Sequence, residues 1–259
     1  MKRILLLCCL LAIAPRLAFT QSQNMAPSPQ LRSTQLIVVI TSGWNAIDGR
    51  LQRYQRSAPG HSWHAVGKPV AIVVGKMGMG WGIGVVPVTA ARSADDPVKR
   101  EGDRKAPAGI FRFGTAFGYA PHPPGAWKMP YLALTPSIDC VDDPHSRFYN
   151  RVIDSSTVSP DWNSAEHMHD AGEAYRWGVV IDHNTGNPLP GGGSCVFMHI
   201  WGGPGIGTVG CTAMPEPQVK VILGWLDPAA NPLLVQMPLK QYRRIQKSLY
   251  LPSPPALQP

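Results

Sequence analysis

Negative charge is scarce in this chain: 16 acidic residues stand against 24 Lys and Arg, for a formal net charge of +8, and charged side chains make up only 15% of the whole. The basic residues are scattered and no nucleic-acid motif accompanies them, which favours attraction to an acidic polymer over binding of DNA or RNA. Long apolar runs are few as well. Ile4 to Ala14 is apolar but too short to span a bilayer, and no later stretch approaches the roughly 20 residues that a membrane helix needs. No Gly-Lys-Ser/Thr ending follows the glycine-rich stretches, which removes the phosphate-loop reading. Asp139, Asp142, Asp143 and Asp154 lack the spacing of a calcium loop. His167 and His169, two residues apart in a segment read as helical, would point to different sides, so neither a metal nor another cofactor is expected.

Cysteine is also sparse. Of five, Cys8 and Cys9 fall in the N-terminal apolar run, which follows Lys2-Arg3 and reaches Ala18-Phe19-Thr20. That pattern predicts a secretory signal peptide over 1–20. Its removal takes away Lys2, Arg3 and Arg16 and leaves a net charge of about +5. Cys140, Cys195 and Cys211 remain, and an odd cysteine in an exported protein points to one reactive thiol.

What is present reads as a mainly β, single-domain protein with a few short helices. Residues 21–34, with Pro27 and Pro29 among Ser and Gln, read as a flexible leader. Short β-branched or apolar runs at 36–40, 51–56, 63–66, 69–74, 131–134, 177–182, 195–200 and 232–237, separated by Gly and Pro, predict strands of a sandwich or barrel. Gly75 to Gly84 reads as a turning loop, Pro107 with Gly109 as a turn into Ile110-Phe111, and 117–128 as a loop. Two helices are expected: 164–174, capped by Ser164 and stopped at Gly172, and 219–226, started by Pro215-Glu216-Pro217. Residues 35–238 form the expected domain, and 239–259, with four basic residues between Lys240 and Lys247 and three late prolines, the expected tail.

The chemistry concentrates in Ser194–Met214, S-C-V-F-M-H-I-W-G-G-P-G-I-G-T-V-G-C-T-A-M. A strand carries His199 into a loop containing Gly202, Gly203, Gly205, Gly207 and Gly210, whose freedom at positive φ lets Cys211 return beside the histidine. A neutral imidazole can take the proton of a thiol and stabilise the thiolate. Backbone N–H groups at Gly210 could face a developing oxyanion, and a helix starting at Pro215 would favour the thiolate.

This segment resembles the signature of L,D-transpeptidases of the YkuD type, in which a histidine at a strand end precedes a loop ending in Gly-Cys. Lys99–Phe111, Met129-Pro130-Tyr131, Val141–Pro144 and Tyr149-Asn150 resemble the same family. Val209 and Ala213 stand where it usually has Ser or His and Arg. The resemblance implies a YkuD-like β-sandwich of mixed sheets, Cys211 as nucleophile, His199 as base and then acid, no cofactor, and the stem peptides of peptidoglycan as substrate in the periplasm or cell wall. Candidate substrate contacts are Tyr131, Trp201 and Thr212, with Arg176 as the cation replacing the family arginine; a core tyrosine and a solvated arginine are the alternatives. Cys140 with Cys195 is the favoured disulfide because Cys211 has the histidine and the glycine turn, and a Cys195–Cys211 bridge remains open. Hydrolysis as a carboxypeptidase or amidase, and a non-catalytic wall-binding module, are the alternative functions.

Overall fold

In the computed structural model, which describes residues 32–257, every residue of the first strand, β1 (Gln35–Thr41), is buried. A strand so uniformly apolar must be covered on both faces. It pairs in parallel with β13 (Leu233–Pro238), also wholly buried, and antiparallel with β2 (Asp48–Gln55). β2 continues to β3 (His64–Val73), which touches β12 (Thr212–Met214) through Ala213 and Val73. β12 lies parallel to β11 (Phe197–Ile200), and β11 antiparallel to β10 (Trp177–Ile181).

The thirteen-residue β5 (Ala106–Gly118) closes the ring. Arg112 and the residues before it pair with β13, and the residues from Phe113 onward pair with β10. The result is a closed, barrel-like sheet with no free edge among these strands. β4 (Met79–Trp81) and β6 (Tyr131–Ala133) add to the two ends of β5. A separate three-stranded sheet holds β7 (Ile138–Val141) between β8 (Val152–Asp154) and β9 (Ala165–His167).

The mainly β character matches the expectation, while several local readings differ. Gly67 bends β3 without ending it: the β2 register shifts between Leu51 and Arg53, and the strand resumes. Pro107 and Gly109 lie inside β5, where the missing N–H of Pro107 costs no ladder bond because the pairing with β4 runs through the Ala106 N–H and the Ala108 carbonyl, bonded to Gly78 and Gly82. The stretch expected as helix 164–174 is β9 followed by two 3₁₀ turns. Cross-strand pairing of Glu166 with Cys140 outweighs the weak helical preference there.

α1 (Glu216–Trp225) forms where Pro215 to Pro217 predicts a helix start, and it buries Val219, Ile222 and Leu223 at one-turn spacing. Residues 239–259 are not a simple tail. α2 (Leu239–Gln246) buries Tyr242 and Ile245, and Leu251 follows them into the core. The basic side chains occupy the outer face of that helix, so charge alone hid an amphipathic pattern. At the other end, Ser33 is buried and its carbonyl accepts from Arg56 Nε at 2.7 Å, so the last leader residues are held to the domain. The signal-peptide reading, most of the leader, and residues 258–259 lie outside the described residues. Among the described residues no helix is long and apolar enough to cross a membrane.

Tyr242, fully buried, has its hydroxyl on the Pro252 carbonyl at 2.8 Å. Tyr242→Ala is therefore expected to cost about 3–5 kcal/mol, the usual toll of an aromatic cavity. Urea unfolding would measure it, and a change within experimental error would return residues 239–259 to the status of a tail.

Candidate active site

β11 and β12 are parallel neighbours joined by a loop of eleven residues, 201–211. Their register sets Met198 opposite Thr212 and His199 opposite Ala213. Thr208 pins the loop, its N–H donating to the Val74 carbonyl at 2.9 Å and its carbonyl accepting from Lys76 at 2.8 Å. Gly207 is required there because a Cβ would lie 2.6 Å from Lys76 Cα. Cys211 thereby comes level with Phe197, whose N–H donates to Sγ at 3.3 Å, while the thiol faces the Cys195 carbonyl at 3.7 Å.

His199 is buried and its Nδ1 lies 2.7 Å from the Ile200 carbonyl. A carbonyl only accepts, so Nδ1 carries the proton and Nε2 keeps its lone pair, the tautomer a base needs. Imidazole and thiol are linked through Tyr175. Its ring meets the His199 ring edge-on at 5.2 Å and the Phe197 ring at 5.5 Å, and its hydroxyl neighbours the Cys211 thiol closely enough to act on its ionisation. The same hydroxyl donates to Glu166 Oε1 at 2.5 Å. Among the described residues no direct hydrogen bond joins His199 to Cys211.

Burial governs the charges. It lowers the His199 pKa to about 4, and it raises that of Cys211 to about 12, with the Glu166 carboxylate adding to the rise. The Phe197 N–H and the Tyr175 hydroxyl oppose that rise, as does the more distant charge of Lys99. At neutral pH the resting pair is a thiol and a neutral imidazole, not the ion pair expected.

The disulfide joins Cys140 to Cys195, and Cys211 is free. The bridge ties β7 of the small sheet to the chain entering β11. Asn150 fixes the Cys195 end: its Oδ1 accepts from the Cys195 N–H at 3.0 Å, and its Nδ2 donates to the His183 and Asn184 carbonyls. The charged loop at 99–105 contributes from below. Glu101 accepts from Tyr149 and Ser194, and the buried Lys99 pairs with Asp103 at 2.6 Å. A cleft of about 380 Å³ opens beside Cys195 and Phe197, with Arg151 and Asp182 among its walls.

The other expected site residues are placed differently. Gly210, at φ +151°, donates its N–H to Thr208 Oγ1 at 3.1 Å, which leaves it engaged within the loop and not facing an oxyanion. Thr212 is fully buried and donates to Gln236 Oε1 at 2.6 Å inside the barrel. Trp201 lines a different groove, with Asp48, Arg50 and Pro204. Tyr131 donates its hydroxyl to the Ala120 carbonyl at 2.7 Å and packs near Trp127. Arg176 is ion-paired with Glu173 and Glu216, so it is no unpaired cation. His183 is buried, with Nδ1 accepting from Ile83 and Nε2 donating to the Gly192 carbonyl. Among the described residues no three His, Cys, Asp or Glu side chains converge as metal ligands. Sequence reasoning missed Glu166, in the segment misread as helix, and Tyr175, just after it; they sit 45 and 36 residues before Cys211 with no spacing signal to mark them.

Two outcomes follow. Glu166→Gln should lower the pH midpoint of Cys211 alkylation, because an anion beside the thiol is removed, whereas Tyr175→Phe should raise it by removing a neighbouring hydroxyl that favours the thiolate. Midpoints that move together, or not at all, would break the link. Second, His183 and His199 both titrate at about 4 when folded, against about 6.5 unfolded. The unfolded chain binds more protons between those values, so their stabilising contribution is complete above about pH 6.5 and falls away toward pH 4, by up to about 3 kcal/mol per histidine. A urea midpoint constant across that window would contradict it. No family model, curated protein or solved structure matches this chain.

Proposed function

We propose that this chain is an exported cysteine acyltransferase of the cell wall, an L,D-transpeptidase that joins peptide stems of peptidoglycan. The observation that carries the reading is the one free thiol among the described residues, Cys211, linked through Tyr175 to an imidazole held in the tautomer with a free Nε2. The Cys140–Cys195 bridge supports an oxidising compartment such as the periplasm. The basic balance suits an acidic wall polymer.

The resting site is neutral, so ionisation accompanies substrate entry. His199 Nε2 takes the Cys211 proton as sulfur attacks a stem carbonyl. The C–N bond breaks, the departing amine takes that proton from His199, and a thioester remains. An amine of a second stem then attacks the thioester, giving its proton to His199, and the released thiolate takes it back. Proton transfer from thiol to imidazole creates two opposite charges side by side, and their sum stays zero in a site where an isolated charge would be costly. A stem approaches through the cleft lined by Cys195 and Phe197, the residue whose N–H meets the Cys211 sulfur.

A second reading, a wall-binding module without turnover, is favoured by the burial of Cys211, which is only 4% exposed. Chemistry separates them. Cys211→Ser should abolish cross-link formation on isolated peptidoglycan, scored by muropeptide mass, and His199→Ala should lower the rate by about 10²- to 10⁴-fold, as loss of a general base does. A carbapenem should leave one covalent adduct on the wild type and none on Cys211→Ser. Wild-type protein that takes a thiol reagent at Cys211, yet forms neither adduct nor cross-link, would establish the module instead.

A further inference from the structure

A groove of about 930 Å³ lies between the β2–β3 hairpin and the end of α2, lined by Tyr54, Arg56, His61, Trp63, Lys247 and Tyr250 among others. It shares no lining residue with the cleft beside Cys195. Its built parts are polar-aromatic: the Arg56 guanidinium lies over the Trp63 ring at 4.2 Å, and Tyr54 donates its hydroxyl to the Ser253 carbonyl at 2.5 Å. No carboxylate lines it among the described residues.

Tyr250 is the second, independent observation. α2 ends with the Leu251 N–H bonded to the Gln246 carbonyl and the Tyr250 N–H to the Lys247 carbonyl, a pattern that puts Tyr250 in the left-handed position usually taken by glycine. Its φ is +51°, unfavourable for a bulky side chain, and its ring is 74% exposed. The ring therefore contributes little packing in return for the strain. A strained residue whose side chain reaches into a groove is the usual sign of a contact made with something outside the chain.

We propose that this groove binds a polysaccharide bearing carboxylates, the Trp63 and Tyr250 rings taking the apolar C–H faces of the sugars and Lys247 taking a carboxylate. Aromatic side chains offer a flat apolar body with polar surroundings, which fits a sugar ring. The cations facing the groove are Arg56, already stacked on Trp63, and exposed Lys247, with the imidazole of His61 beside them, its Nδ1 2.7 Å from Ser57 Oγ. So few are too sparse to follow a phosphate per residue of nucleic acid, and the choice of a strand with one carboxylate per disaccharide rests on the cell-wall role proposed above. The proposal stands apart from the cysteine chemistry.

Calorimetric titration of the full chain with soluble β-linked amino-sugar strands, stripped of peptides and carrying one carboxylate per disaccharide, tests it. Saturable binding is expected, weakened at least tenfold for an uncharged amino-sugar oligomer, for Lys247→Gln and for Tyr250→Gly. Tyr250→Gly should also melt at or above the wild-type temperature, since glycine relieves the backbone, and alkylation of Cys211 should be unaffected in both variants. Absence of binding, undiminished binding in both variants, or tighter binding of an oligonucleotide or of anionic phospholipid vesicles would overturn the proposal. A Cys211→Ser protein that still binds the strands would sustain it even if no cross-linking activity were found.

Discussion

The closure of the sheet through β5 is the constraint on which the rest depends. One thirteen-residue strand pairs with β13 over its first half and β10 over its second, so both neighbours are fixed in register by the same chain. β10 sets β11, and β11 sets β12, so the level of Cys211 against Phe197 follows from how the ring closes. Gly178, opposite His199, is part of this transmission: a Cβ there would lie 2.4 Å from the Phe117 ring. Without that space Phe117 could not stack on Tyr175 and Phe197, and Tyr175 could not hold its place between thiol and imidazole.

The site is assembled from polar groups in a poorly hydrated setting, and its electrostatics follow from that. Carboxylates gather on the small-sheet side, where Glu166 feels Asp142 and its own desolvation, both raising its pKa. Asp142 Oδ1 is itself buried without a hydrogen-bond partner. Lys99, the nearest cation to act on Cys211, is bound to Asp103. The net field at sulfur therefore favours the protonated form, which suits a nucleophile that is silent until a substrate changes its surroundings.

Much of this was legible from the residues. β-branched runs bounded by Gly and Pro mark most strands, because a covered strand has few ways to be written. The His199-to-Cys211 loop stands out because glycines at that density have little other purpose, and the Cys140–Cys195 pairing follows once Cys211 is set aside. What could not be read is long-range. Whether Gly67 or Pro107 breaks a strand depends on the partner strand, and Glu166 becomes a site residue only because Cys140 lies opposite it in β7. Thr212 and Arg176 look like substrate contacts until Gln236, Glu173 and Glu216 are seen to occupy them. The C-terminal segment reads as basic and proline-rich, yet Tyr242, Ile245 and Leu251 face inward while Tyr250 stays exposed.

The disulfide has a bearing on how the chain matures. Cys140 and Cys195 are separated by 55 residues, and closing a loop of that length removes about 4 kcal/mol of unfolded-chain entropy in the simplest model. Three thiols admit three pairings, two of which consume Cys211. Once the barrel has formed, the Cys140 and Cys195 Cα atoms stand 5.9 Å apart, while the Cys211 sulfur is directed at the Phe197 N–H and the Cys195 carbonyl. Position thus chooses the oxidation partner: the two structural thiols are held at bonding distance, and the fold acts as the protecting group for the third by keeping its sulfur on backbone contacts.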